Sequence, residues 1–186
     1  MLENLGNDIQ CSVFSIAEMQ YTGNGPVQKK NAKGLLKTDA GNKVTGCKLA
    51  YYAVQNVTAV FDNTLERIKD ASYTHSLAEG DGNRYWISTD RSIAVYGYRH
   101  RETKKRVYTI WKDDAIPGDD CEMTFLDFAF AGGGFEDPVL VDMITGGVYE
   151  LPAAQWSREG TIDRFRRIPV YDAPVLIAER SLIPIA

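Results

Sequence analysis

Between residues 49 and 60 one face follows a helical rhythm, apolar except at Asn56: Leu49, Tyr52, Ala53, Asn56, Val57 and Val60 fall at i, i+3, i+4, i+7, i+8 and i+11. Tyr51 and Val54 widen the stripe, and Gln55, Asn56 and Thr58 give the only polar relief. So wide a stripe predicts a helix covered on more than one side, with residues 34–48 as the turn feeding it. Upstream, CSVFSIAEMQY (11–21) is an apolar run that ends in polar residues and predicts a strand buried on both faces. A short amphipathic helix through Val13, Ile16, Ala17 and Gln20 is the competing reading. The Gly-, Asn-, Lys- and Pro-rich residues 21–33 predict a loop. After residue 60, Phe61, Leu65 and Ile68 continue a helical spacing with Asp62 or Asn63 as a cap, and this part of the chain ends near Asp70.

From Ser72 the texture changes to short runs rich in Val, Ile, Tyr, Phe and Trp with turn residues between them, which predicts an antiparallel β-sandwich of seven to nine strands. RSIAVYGYRH and KRVYTIW flank RETKK as a hairpin, and KDDAIPGDD is a turn-rich connection. CEMTFLDFAF makes a strand closed by Gly132, Gly133 and Gly134. PVLVD and GVYELP enclose MITGG as a second hairpin, where Gly146 and Gly147 are able to take the positive φ of a tight turn. Residues 161–165 and 175–178 supply the last strands.

The run GLLKTDAGN followed by KLAYYAVQNV resembles the signature that closes the last β/α unit of a TIM barrel in retaining glycoside hydrolases of the family 39 type. Downstream, FEDPVLVDMITGGVYELP and IPVYDAPVLIAERSLI resemble the β-sandwich that follows such barrels in polysaccharide-degrading bacterial enzymes. The chain departs from the pattern at Cys47, where the family has lysine before a proline at the helix start; here Lys48 and Leu49 follow. The resemblance implies a mainly-β chain in two parts: residues 1–70 as the last β/α unit, a remnant of a (β/α)8 barrel, and residues 71–186 as a β-sandwich accessory domain. A complete barrel takes about 250 residues, more than the 186 present. The resemblance therefore implies the C-terminal portion of a larger glycosidase, or a truncated gene product.

Retaining glycosidases use two carboxyl groups about 5 to 5.5 Å apart. In the family these come from barrel strands four and seven, so the resemblance implies no catalytic residue in this chain. Glu18 lies near the end of the predicted strand, where barrel enzymes build their sites. By resemblance Glu18 contacts substrate, with Tyr21 as a stacking neighbour; the plainer alternative is that Glu18 caps a loop or meets a lysine.

A net charge of −4 and a pI near 5.2 argue against nucleic-acid and anionic-membrane partners. Arg164, Arg166 and Arg167 read as a solvated strand face, and no apolar run approaches the roughly 20 residues of a membrane helix. MLENLGNDIQ has neither a basic nor an apolar leader segment, although relatives of this type are usually exported. Cys11, Cys47 and Cys121 are odd in number and lack a C-x-x-C pair, so buried free thiols are expected rather than a disulfide or a metal. The acidic residues Asp113, Asp114, Asp119, Asp120 and Glu122 lack the order of an EF-hand loop, and a solvated turn is expected in place of calcium. Gly132 to Gly134 lack the Lys-Ser/Thr of a phosphate loop. His75 and His100 have no nucleophile motif beside them and read as exposed loop residues. No cofactor is expected.

Trp86, Trp111 and Trp156, with Tyr96, Tyr98 and Tyr108, form either a sugar-stacking platform or strand packing, and packing is the stronger reading. Tyr96 and Tyr98 share one strand face, while Ile93 and Val95 share the other. Two functions follow. One is the C-terminal portion of a glycoside hydrolase, the sandwich buttressing the barrel and meeting carbohydrate only through the parent enzyme. The other is a freestanding carbohydrate-binding or interaction module. A barrel remnant exposes the apolar flanks of residues 11–21 and 49–60 and self-associates, whereas a module exposes an aromatic strip.

Overall fold

The computed structural model describes residues 1–22, 28–79, 93–113, 118 and 122–185. Trp86, Asp114, Asp119, Asp120 and Cys121, with most of the KDDAIPGDD connection, lie outside the described residues. In chain order the elements are α1 (Leu2–Gly6), the hairpin β1 (Met19–Thr22) and β2 (Gln28–Asn31), the hairpin β3 (Leu36–Thr38) and β4 (Val44–Cys47), and α2 (Leu49–Val60). Ten strands follow: β5 (Leu65–Ile68), β6 (Tyr73–Leu77), β7 (Ile93–His100), β8 (Arg106–Lys112), β9 (Thr124–Ala131), β10 (Pro138–Asp142), β11 (Val148–Glu150), β12 (Trp156–Glu159), β13 (Ile162–Val170) and β14 (Val175–Glu179).

These ten strands form the sandwich. One sheet has the order β11-β10-β14-β8-β7-β5 and the other β12-β13-β9-β6, with antiparallel pairing throughout. The interior is aromatic. Strand β9 alternates, turning Leu126, Phe128 and Phe130 inward to meet Tyr108, Phe135, Phe165 and Ile177, all nearly sealed from water. The alternation on β7 is as expected: Ile93 and Val95 enter this interior, while Ala94, Tyr96 and Tyr98 face the other way.

That other face carries a second core. Leu2, Leu5, Val57, Val60, Phe61 and Leu65 pack against Tyr98, Val107, Trp111, Val141, Leu176 and their neighbours. The six-stranded sheet is thus buried on both sides, which is why all five residues of β14 are buried. Asn56 is the polar member of this interface; its side-chain Nδ2 donates to the Met143 carbonyl at 3.1 Å. Gly146, at φ +78° in the β10–β11 turn, takes the left-handed conformation, and a Cβ there would sit 3.2 Å from the Asn56 amide. Gly147 is not in the left-handed region; Gly132, Gly133 and Gly134 all are.

The first seventy residues differ from expectation in four ways. Residues 11–16 are no strand buried on both faces: Val13, Phe14 and Ile16 are exposed, Phe14 at 65% and Ile16 at 70%. Their pairing is confined to one side, where the Leu35 and Leu36 amides donate to the Ser15 and Ile16 carbonyls. An apolar run specifies burial only if a neighbour exists on each face, and here the second is missing among the described residues. Within 21–33, Tyr21 and Thr22 of β1 pair antiparallel with Lys29 and Gln28 of β2, so the described ends of this span are strand rather than loop. Helix α2 buries only Asn56, Val57 and Val60 and leaves Leu49 and Tyr52 exposed, so it is covered on one side. The helix does not resume after Phe61. Asp62 accepts hydrogen bonds from the Thr64 amide and hydroxyl, a turn that redirects the chain into β5 along β7.

Candidate functional site

Glu18 is 5% exposed, and its surroundings come from three segments. Lys30 Nζ of β2 lies 2.6 Å from Oε2, and Lys48 Nζ, at the start of α2, lies 2.7 Å from Oε1. The Thr38 amide of β3 donates to Oε2 at 3.2 Å, and the Thr38 hydroxyl donates to the Glu18 carbonyl at 3.1 Å. Lys48 also donates to the Ala32 carbonyl. The lysine of β2 first and Lys48 second hold the carboxyl down at about 2, against the opposing effect of burial. Glu18 is therefore an ionised acceptor at neutral pH with both oxygens occupied, and it ties the two N-terminal hairpins to the start of α2. Tyr21 lies on β1 with its ring 46% exposed. No hydrogen bond or ring contact joins it to Glu18 among the described residues.

Two further buried carboxylates were not singled out by sequence. Glu179, 1% exposed, accepts the Glu136 and Asp137 amides at 2.8 and 3.2 Å through Oε2, and Lys105 Nζ lies 3.0 Å from Oε1. Burial pushes this carboxyl up, but the two amides and Lys105 together overcome it and its pKa is lowered. Asp163, also 1% exposed, meets Arg158 Nε at 2.8 Å, and Arg158 donates in turn to the Phe135 carbonyl. Each of these three carboxylates faces a cation rather than a second carboxyl group. They anchor segments to one another, and none has the arrangement of an acid/base and nucleophile pair.

The described members of the tryptophan and tyrosine set, Trp111, Trp156, Tyr96, Tyr98 and Tyr108, pack. Trp111 and Tyr98 are at most 8% exposed, Tyr108 lies in the sandwich interior, and Trp156 packs against it. Tyr96 stacks near Trp111 at 5.5 Å between centroids, and its hydroxyl donates to Glu3 on α1 at 2.7 Å. Among the described residues of this set, no aromatic strip faces solvent. Cys11 and Cys47 are exposed, not buried, because both belong to the segment that lies outside the two cores. The histidines are strand residues, not exposed loop residues: His75 on β6 is half-buried beside Tyr73 and Phe128. His100 ends β7, where its Nδ1 accepts the Glu102 and Thr103 amides. Among the described residues no cluster of His, Cys, Asp or Glu is arranged to hold a metal ion, and no helix is long and apolar enough to cross a membrane.

Two of the concave regions among the described residues bear on function. An apolar groove of about 400 Å³ runs between α2 and the β10–β11 turn, lined by Leu49, Ala53, Val54, Val57, Met143 and Pro174 among others. A polar groove of about 450 Å³ lies on the four-stranded sheet, where Thr74, Ser76, Asp127, Ala129, Arg164 and Arg166 line it. Arg164 and Arg166 are two of the three arginines whose clustering predicts a solvated strand face. The outward position of Asp127 was also legible in the alternation of TFLDFAFA, but its pairing with Ser76 depends on a register that local pattern does not fix. No protein-family model matches the chain, and no curated protein matches it.

Proposed function

We propose that the chain is the C-terminal portion of a polysaccharide-degrading glycoside hydrolase of the family 39 type. Its sandwich buttresses a (β/α)8 barrel whose other units are further polypeptide, and the chain alone is non-catalytic. The observation that carries this reading is the apolar surface left in water. Val13, Phe14, Ile16, Leu49 and Tyr52, all from the first seventy residues, are exposed, and Leu49 also lines an apolar groove of about 400 Å³. The order of the GLLKTDAGN, KLAYYAVQNV, FEDPVLVD and PVYDAPVLIA motifs supports the same reading, as does the pairing of each buried carboxylate with a cation. Carbohydrate is then met through the parent enzyme.

The test is expression of the chain fused to the polypeptide encoded immediately upstream, assayed on aryl glycosides and polysaccharides beside the chain alone. Hydrolysis by the fusion and silence from the chain alone are expected. Hydrolysis by the chain alone, abolished by mutating one of its own carboxylates, overturns the reading. A freestanding module is the second reading, favoured by one observation: α1 and the C-terminal half of α2 complete a core with the six-stranded sheet, whose edge strand β5 also comes from the first seventy residues.

A further inference from the structure

We propose that the polar groove on the outer face of the four-stranded sheet binds a neutral saccharide, with Arg166 and Asp127 as its principal hydrogen-bonding groups and Ala129 as its floor. The register sets the site. Ser157, Arg164, Ala129 and Thr74 lie side by side across β12, β13, β9 and β6, and Asp127 pairs with Ser76 in the next outward row. A methyl side chain at the centre, flanked by longer polar ones, makes a dent with an apolar base and a polar rim. That is the division a pyranose presents, with C–H groups on its face and hydroxyls around its edge. The volume of about 450 Å³ falls in the range of small-molecule sites.

A β-bulge places the decisive side chain. Between Phe165 and Ile168 the β13–β9 register shifts, and Arg167 adopts φ +53°. Arg166 and Arg167 consequently both face outward between two buried residues, where regular alternation would send one inward. Asp127 Oδ1 holds the bulge by accepting the Arg167 amide at 2.9 Å. The Arg167 side chain turns away, donating to the Glu79 carbonyl and lying 5.0 Å over the Phe125 ring. Arg166 is left lining the groove, with the Ser157 hydroxyl as a neutral partner at 3.2 Å and no carboxylate within ion-pair distance among the described residues.

Charge selects the ligand class. Arg164 is paired with Glu159 at 2.8 Å, so those two cancel, and Arg166 and Asp127 contribute one charge of each sign. An anion entering the groove would find no net positive charge to hold it, since Asp127 offsets Arg166 and Glu159 offsets Arg164. Vicinal hydroxyls suit it better, since one donates to Asp127 while its neighbour accepts from Arg166, with the Thr74 and Ser76 hydroxyls completing the edge. This site rests on the carbohydrate reading above for its biological sense. It is tested apart from that reading, because saccharide titration needs no barrel and barrel-dependent hydrolysis needs no groove.

The experiment is an amide-resolved NMR titration of the full chain with cellohexaose, xylohexaose, mannohexaose and trigalacturonate. One of the neutral hexasaccharides should shift the amides of Thr74, Asp127, Ala129 and Arg164. Arg166→Ala should weaken that binding about tenfold, the loss of one hydrogen bond to a charged group. Ala129→Leu, an outward position whose enlargement leaves the interior untouched, should abolish it while the thermal midpoint stays the same. Absence of shifts with all three neutral probes, binding that survives Ala129→Leu, or preference for trigalacturonate would each overturn the proposal.

Discussion

In the sandwich, Phe128, Phe130 and Phe165 are each at most 2% exposed, whereas Phe14 and Ile16 in the N-terminal stretch stand more than half in water. The two regions use the same kinds of side chain. They differ in what lies opposite: strands of a second sheet in one case, and nothing among the described residues in the other. Burial is a property of pairs of surfaces, so an apolar run is only half of a specification. The polar side chains repeat the contrast. In the sandwich Glu179 and Asp163 seal joints inside the core, while in the N-terminal stretch a buried Glu18 is covered by two lysines that stay partly in water.

The largest expected effect lies in the sandwich. Phe165→Ala removes a ring that packs edge-on against Phe130 and Phe135, and should cost about 3–5 kcal/mol in denaturant unfolding. A loss under about 1 kcal/mol would mean that this interior is loosely packed. Next comes Glu179→Ala, which leaves the Glu136 and Asp137 amides and Lys105 without their acceptor and should cost about 2 kcal/mol by the same measurement.

Glu18 sharpens the comparison through pH. Its folded-state value near 2 lies below the ordinary 4.5. The ionised carboxylate therefore stabilises the folded state above about 4.5, and that contribution disappears as pH falls from there through about 2. The carboxyl carbon of Glu18 should titrate by NMR with a midpoint near 2 while Thr38 loses amide protection at acid pH. A midpoint of 4 or higher would show that the lysine clasp does not hold in solution. The smallest effect on stability is expected from Phe14→Ser and Tyr52→Ser, within about 0.5 kcal/mol. Their signature should appear in light scattering, as reduced self-association. Destabilisation by more than 2 kcal/mol would mean that these side chains are packed after all.

The sandwich was legible because its strands carry local signals. The β7–β8 and β10–β11 hairpins, the outward tyrosines of β7 and the glycine turn after β9 follow from alternation and turn chemistry. Strand β5 was not legible, since Phe61, Leu65 and Ile68 fit a helical spacing as well as they fit LERI on a sheet edge, and the Asp62 turn decides between them. The bare side of α2 was equally hidden, because periodicity gives the width of a stripe and not the number of neighbours. Of the candidate site residues, Glu18 was recognisable as a special carboxylate, but Lys30 and Lys48 reach it from twelve and thirty residues away. The groove around Ala129 depends on a bulge and a cross-strand register that the sequence records only as a pair of arginines.

Asn56 places a directional constraint on an otherwise greasy contact. Apolar surfaces slide and roll over one another at little cost, yet turning α2 about its axis to tuck Leu49 or Tyr52 inward would orphan a side-chain amide seated against the Met143 carbonyl. That one carboxamide works as an indexing pin: it fixes the helix in a single rotational setting and so keeps its oily outer flank turned away from the sheet.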